Sequence, residues 1–480
     1  MTGAALYAAS TLSEVSFIEP SDVRRLAAKY SSRGPRYTSY PTAVEFGPQV
    51  NPQSWSEVVR ADGSDPSAEW SSAALYVHIP FCSSLCYFCA CNRIIVRDRA
   101  MFEPYLTALE REIRAYAEIL PKHTVFQALH FGGGSPGLLL AEETARLLQR
   151  LREEFAFASD AELSIELDPR TSTPERVQHY RELGFTRLSL GVQDFDSVVQ
   201  RSVNRIQPVE MTASLFESAR HAGFRSINAD LIYGLPEQNL ERFAKTIRQL
   251  LELRPERIAL YGYAHVTWIK KAQKTFERLH LPDAAERLEL FLHALGELEK
   301  AGYVSIGMDH FALPGDSLAK AFENGTLERT FMGYTSDRSP RLIGLGASAI
   351  STLPAAFAQN VPDTLGYIRM TETGTLPIER GVLRTAEDRL RGEIIEALFC
   401  KARLDISSLE RRHGISFETK FASQLPALKS MAEDGLLSYS ASHLELSRLG
   451  RLFTRNVAML FDGYLAKHSE GSTPKYSATV

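Results

Sequence analysis

Between about residues 74 and 300, short apolar runs alternate six times with longer amphipathic segments. This alternation restricts the fold of the 480-residue chain more than any other feature. The runs span residues 75–81 (LYVHIPF), 128–131, 163–167, 187–192, 227–233 and 258–264. Stretches 105–120, 142–155, 174–183, 211–221, 240–253 and 284–301 carry apolar residues at helical spacing. Strand, crossover helix and parallel strand, repeated in this way, imply a parallel sheet, either open or curled toward a barrel. The expected class is α/β, built from six βα units.

Each run ends in or carries a chemically pointed group. Cys82 follows the first, Gly132 to Ser135 follow the second, and Glu166 and Asp168 stand at the third. Gln193 and Asp194 follow the fourth, Asp230 lies in the fifth, and Tyr263 to His265 sit at the sixth. In sheets of this kind ligands bind at the carboxyl ends of the strands, so one shared site is expected there.

The cysteines sharpen that expectation. Four of the five, Cys82, Cys86, Cys89 and Cys91, fall within ten residues, whereas a disulfide framework spreads its cysteines along the chain. The crowd therefore points to a metal or cluster site in a reducing compartment. Three thiolates spaced C-x3-C-x2-C can hold three irons of a 4Fe-4S cube and leave the fourth open to a chelating ligand. A structural zinc closed by Cys91 or His78 is the alternative, although zinc sites usually draw on two separated pairs. Cys400 stands alone in an apolar helical context and reads as buried packing.

A 44% hydrophobic, 23% charged chain is ordinary globular protein, and its net charge of −4 gives no reason to expect nucleic acid or an anionic membrane. No apolar run reaches membrane-spanning length, and the N-terminus lacks the basic start of a signal peptide, so a cytoplasmic protein is expected. The expected domains are an N-terminal extension over 1–72, the barrel over 73–365 and a mostly helical, winged-helix-like region over 366–480. The last is expected to contain a hairpin at 435–447 and a final helix at 453–467.

The C-x3-C-x2-C loop, with Phe88 before its third cysteine, resembles the radical S-adenosylmethionine superfamily. YVHIPFCSSLCYFCAC, RYTSYPT, LHFGGGSP, SIELDPR, LGVQDF, VNR, DLIYGLP, YAH and GMDHFA together resemble the oxygen-independent coproporphyrinogen III oxidase (dehydrogenase) family, over nearly the whole chain. Cys91 and RYTSYPT separate that family from its haem-chaperone relatives.

The resemblance implies a partial (β/α)6 barrel of the radical SAM type. It also implies a [4Fe-4S] cluster on Cys82, Cys86 and Cys89, and a needed role outside ligation for Cys91 and His78. Tyr76, Gly133 and Glu166 match contacts to one S-adenosylmethionine. Phe88, Gly134, Ser135, Gln193, Arg205, Asp230, Ala264 and Ile350 match contacts to a second, making two molecules in all. The implied reaction turns two propionates of coproporphyrinogen III into vinyl groups through a 5′-deoxyadenosyl radical, giving protoporphyrinogen IX. A reductase with a flavodoxin- or ferredoxin-type carrier is the implied electron donor, and the chain is expected to be a monomer. The substrate is tetra-anionic, and Arg36, Lys270, Lys271 and Lys274 are candidate cations for it. One departure stands out: Met332 occupies the place of the family's usual Gln. The alternatives are a haem-binding chaperone-like relative and a radical methylase on the same scaffold.

Overall fold

All six runs form strands: β1 Ala73–Ile79, β2 Val125–Gly133, β3 Ala156–Leu167, β4 Arg187–Gln193, β5 Ser226–Tyr233 and β6 Arg257–Gly262. The computed structural model describes residues 19–336, 339–465, 476 and 479. Within it the six strands lie side by side in chain order, each parallel to the next. Helices α1 Phe102–Ile119, α2 Ala141–Glu154, α3 Pro174–Glu182, α4 Val209–Ala222, α5 Leu240–Leu253 and α6 Ala284–Lys300 follow them in turn. Local signals fix where these helices begin. Asp283 accepts from the Glu286 amide at 2.9 Å while the Glu286 carboxylate accepts from the Asp283 amide at 2.8 Å, satisfying donors that have no partner inside the helix.

At both ends the sheet goes beyond the expected six strands. After α6 the chain returns through β7 Val304–Gly307 and β8 His310–Ala312, with β8 antiparallel to β6. On the other side of β1 lies a seventh parallel strand, β9 Arg341–Leu345, with Ala73 opposite Arg341. Antiparallel β10 Ile350–Leu353, β11 Ala356–Asn360 and β12 Ile378–Leu383 complete twelve strands, so the sheet runs on past residue 365.

Alternation along the strands gives the sheet two unlike faces. Leu75, Val77, Leu129, Phe131, Ile165, Leu190, Ile227, Leu231, Ile258 and Leu260 are buried and form the main core. Burying each such side chain contributes roughly 1.5–3 kcal/mol. The residues between them, among them His130, Ser164, Glu166, Ser189, Asn228, Asp230 and Tyr261, line a cavity of about 180 Å³ on the other face.

The N-terminal segment binds both halves of the molecule. Helix Pro52–Gly63 inserts Trp55 into the main core, where its indole donates to Tyr116 at 3.1 Å. In RYTSYPT, Arg36 pairs with Asp309 at 3.1 Å, Tyr37 donates to Asp462 at 2.8 Å, and the Tyr40 hydroxyl accepts from the Gly463 amide at 2.8 Å.

The C-terminal region has its own core, which includes Ile394, Leu409, Phe417, Leu428 and Phe453. It combines helices Ala386–Lys401, Ile406–His413 and Leu425–Glu433 with a three-stranded sheet whose hairpin strands are Leu437–Tyr439 and His443–Leu446. Of the expected helix 453–467, the described residues form Thr454–Met459, after which the chain turns at residues 461–464 and meets Tyr37 and Tyr40. Residues 466 and 467 of the expected helix lie outside the described residues. Cys400 is fully buried in this core.

Candidate active site

The cysteine loop starts at the carboxyl end of β1. Phe81 and Cys82 extend it and pair with Ile94 and Ile95, so the residues between them form a closed loop. Burial and the nearby Cys89 and Cys86 thiols push the Cys82 thiol up to about 12. A hydrogen bond from the Cys91 thiol holds Cys89 below its ordinary range against the effect of burial, helped by the charges of Arg93 and Lys270. Among the described residues no three His, Cys, Asp or Glu side chains converge on one metal ion. Three thiols spaced C-x3-C-x2-C on one loop suit three corners of an iron–sulfur cube, whereas zinc sites usually draw on two separated pairs.

Behind the loop, Tyr76 and His78 point to the same face of β1. The Tyr76 hydroxyl is 2.9 Å from His78 Nδ1, and His78 Nε2 is 2.9 Å from the Asn92 carbonyl. The carbonyl only accepts, so Nε2 carries the hydrogen and Nδ1 accepts from Tyr76. Burial lowers the His78 pKa, in keeping with this neutral tautomer. Tyr76 stacks on His130, whose Nε2 lies 3.2 Å from Glu166. The other Glu166 oxygen accepts from the Gly133 amide at 3.1 Å.

The triple glycine leaves little room for side chains, least of all at Gly133 and Gly134. A Cβ on Gly132 would lie about 3.0 Å from the Glu166 carboxyl carbon. Gly133 has φ +111° and a Cβ there would come within 2.5 Å of the His78 ring, while one on Gly134 would meet the Phe81 carbonyl at 2.7 Å. Backbone can therefore approach closely where side chains cannot. Ser135, also buried, donates its amide to the Phe81 carbonyl at 2.7 Å.

On the far side of the loop, Asp168 accepts from both Arg170 and Arg205. Arg205 Nη1 and Nη2 lie 3.0 and 3.2 Å from its two oxygens. Although burial opposes it, the Arg205 charge and the Arg170 hydrogen bonds hold the Asp168 carboxyl down at about 2. Both guanidinium groups also reach Cys86 Sγ, Arg170 at 3.2 Å and Arg205 at 3.6 Å.

Gln193 ends β4 with φ +67°, in the left-handed region. Deeper on the inner face, Asp230 accepts from Asn228 at 2.8 Å and from Ser189 at 3.1 Å, and burial pushes it up to about 6. Phe88 and Ala264 are joined through buried Gln273, whose amide donates to both carbonyls at 3.1 Å. Ile350 packs against the cluster of Phe46, Phe357 and Val382. Met332 lines the inner cavity with His130, Glu166, Asp230 and Tyr261. Lys270 donates to the Cys91 carbonyl at 3.2 Å, while Lys271 and Lys274 are exposed.

Sequence reasoning passed over four residues that hold this site: Asn92, His130, Arg170 and Gln273. His130 shares its strand parity with the inner face and Arg170 lies in SIELDPR, so both carried a signal. Asn92 acts through its carbonyl and Gln273 through a fold-dependent contact, so neither had one.

A parallel sheet with a three-cysteine loop after its first strand defines the radical S-adenosylmethionine class, and the Radical SAM superfamily profile matches residues 76–250. The HemN C-terminal domain profile matches residues 385–453. The chain is 42% identical over 440 residues to the oxygen-independent coproporphyrinogen III oxidases of Salmonella typhimurium and Escherichia coli, covering 92% of this chain and 95% of each of theirs. It is 38% identical over 449 residues to that of Synechocystis sp., covering 93% and 96%. The solved structure of coproporphyrinogen III oxidase (HemN) from Escherichia coli, described as a radical SAM enzyme, superposes with a TM-score of 0.85. Identity there is 41%, over 89% of this chain and 97% of that one. The chain belongs to the oxygen-independent coproporphyrinogen III oxidase family. Membership implies a [4Fe-4S] cluster and S-adenosylmethionine. Among the described residues no helix is long and apolar enough to cross a membrane.

Proposed function

We propose that this chain oxidatively decarboxylates two propionates of coproporphyrinogen III to vinyl groups without oxygen, giving protoporphyrinogen IX. Each propionate loses one β-hydrogen atom, one carbon dioxide and one electron. The observation that carries the reading is the meeting of the Cys82, Cys86 and Cys89 thiols with the hydrogen-bonded pairs Tyr76–His78 and Gly133–Glu166, which His130 bridges by stacking on Tyr76 and contacting Glu166, at the carboxyl end of β1. Cys82, Cys86 and Cys89 hold the [4Fe-4S] cluster. When bound, the cluster and S-adenosylmethionine supply the one-electron chemistry that removes the hydrogen.

The chain's own residues bind and orient. Glu166, fixed by His130 and the Gly133 amide, keeps lone pairs for an ammonium or ribose hydroxyl of the first S-adenosylmethionine, beside Tyr76. Phe88, Gly134, Ser135, Gln193, Arg205, Asp230, Ala264 and Ile350 receive a second molecule. His78 seats the loop and Cys91 donates to Cys89. The described part of the N-terminal extension and the C-terminal region beyond β12 cover the sheet and exclude water, a reading supported by the bonds of Arg36, Tyr37 and Tyr40. Arg36 and Lys270, with exposed Lys271 and Lys274, attract the tetra-anionic substrate. The protein works as a cytoplasmic monomer, without nucleic acid, and takes electrons from a flavodoxin- or ferredoxin-type carrier.

Anaerobically reconstituted protein given reductant, S-adenosylmethionine and coproporphyrinogen III is expected to yield the divinyl product and two carbon dioxides. Formation of 5′-deoxyadenosine without decarboxylation, methylated product, or tight haem binding without turnover would each overturn the reading.

A further inference from the structure

We propose that Arg170, held by Asp168, sets the reduction potential of the cluster through the thiolate of Cys86. The inference rests on the reading of Cys82, Cys86 and Cys89 as the cluster ligands. Arg170 occupies the short turn after β3, where its amide and Nε both bind Asp168 Oδ1 at 3.0 Å and its Nη2 binds Oδ2 at 2.6 Å. The same Nη2 lies 3.2 Å from Cys86 Sγ. Arg205 grips Asp168 from the other side and donates to the Gly191 carbonyl at 2.6 Å. The Asp168 and Arg170 side chains are about 14% and 15% exposed, so solvent screens this group weakly.

Two guanidinium charges against one carboxylate leave one net positive charge beside Cys86. Reduction adds one electron to the cluster, and a nearby cation together with an N–H donor on a ligating sulfur stabilises the more negative state. Arg170 therefore makes the cluster easier to reduce, and Asp168 moderates that effect while fixing the guanidinium geometry. This is a positioning and tuning role. Cys86 is the ligand, and Arg170 reaches the cluster only through it.

The test is a reductive titration of the reconstituted full-length protein, followed by the electron paramagnetic resonance signal of the reduced cluster, after iron and sulfide content has been matched. Arg170→Met removes charge and donor and is expected to lower the potential by about 59 mV or more, a tenfold loss in the one-electron equilibrium. Arg170→Lys keeps the charge and is expected to fall between the two. Asp168→Asn removes the compensating negative charge and is expected to move the potential upward. These opposite signs separate tuning from general loosening, which would shift every variant the same way. Unchanged potentials in loaded variants, or a downward shift for Asp168→Asn, would overturn the inference. Wild-type protein that takes up no cluster would instead overturn the reading on which it rests.

Discussion

His78 Nε2 lies 2.9 Å from the Asn92 carbonyl, so a side chain on the first strand holds the return limb of the cysteine loop one residue beyond Cys91. The Tyr105 hydroxyl extends the link, donating to the His78 carbonyl at 2.7 Å and accepting from the Ala347 amide at 3.0 Å. His78→Phe keeps the ring but removes both of its bonds. Amide hydrogen exchange over residues 89–95 is expected to quicken at least tenfold, and the reconstituted cluster to be lost faster in air. His78→Gln can still donate to the carbonyl and is expected to recover part of the protection. Equal exchange in wild type and His78→Phe would show that the histidine does not seat the loop.

Gly133→Ala is expected to be severe. Its φ of +111° is strained for any residue with a Cβ, and that atom would sit 2.5 Å from His78 Cε1. A substitution incompatible with the native backbone costs more than about 1 kcal/mol before the clash is counted. The Glu166 contact to the Gly133 amide would move with it. Equilibrium binding of S-adenosylmethionine to the reconstituted variant should weaken at least tenfold, and wild-type affinity would contradict the close backbone approach.

Buried Gln273 joins the cysteine loop to the segment after β6 by donating to the Phe88 and Ala264 carbonyls and accepting from the Val266 amide at 2.6 Å. Gln273→Ala strands these groups, at about 1–3 kcal/mol for a buried unpaired group. A lower melting temperature is expected, with faster proteolysis between residues 264 and 280. Gln273→Glu keeps the acceptor but loses the donor, and is expected to be no better. An unaltered digestion pattern for Gln273→Ala would argue against the clamp.

Met332→Gln tests a sequence departure that the structure puts on the cavity wall, near His130, Asp230 and His310. The thioether barely hydrogen-bonds, whereas an amide donates and accepts. One neutral hydrogen bond is worth about 0.5–1.5 kcal/mol, so kcat/KM for coproporphyrinogen III is expected to rise roughly two- to tenfold. No change, with melting temperature also unchanged, would mean that residue 332 meets no polar group of the substrate.

Strand parity made much of this legible. Tyr76 and His78 are two apart on β1, Ser164 and Glu166 on β3, and Asn228 and Asp230 on β5, so each pair shares the inner face on period alone. The cysteine spacing likewise marked the loop. Strand β9 escaped notice because RLIGL is short, and its partner β1 lies some 270 residues earlier, so nothing local announces the pairing. The double contact of Arg170 with Asp168 and Cys86 escaped for a similar reason, since it needs both the turn after β3 and the loop after β1 in place.

The support behind β9 makes the fold sensitive to pH. Glu112 on α1 is buried and accepts from the Gly346 amide at 2.7 Å, Asn360 at 2.6 Å and the Tyr367 hydroxyl at 2.6 Å. It thereby pins the end of β9 beside Ala347, which bonds the Tyr105 hydroxyl that reaches His78. Burial outweighs these three donors and pushes the carboxyl from 4.5 up to about 7. The folded chain therefore binds more protons than the unfolded one between about pH 4.5 and 7. Stability from this group is complete below 4.5 and is lost as pH rises through 7, in total on the order of 3 kcal/mol. Glu112→Gln cannot ionise. Unfolding of both proteins from pH 5 to 8 is expected to show the wild type losing about 2–3 kcal/mol relative to the variant, with the variant equal or more stable at pH 8. Parallel curves would mean that Glu112 ionises in the fold as readily as in the unfolded chain, its three donors fully offsetting burial.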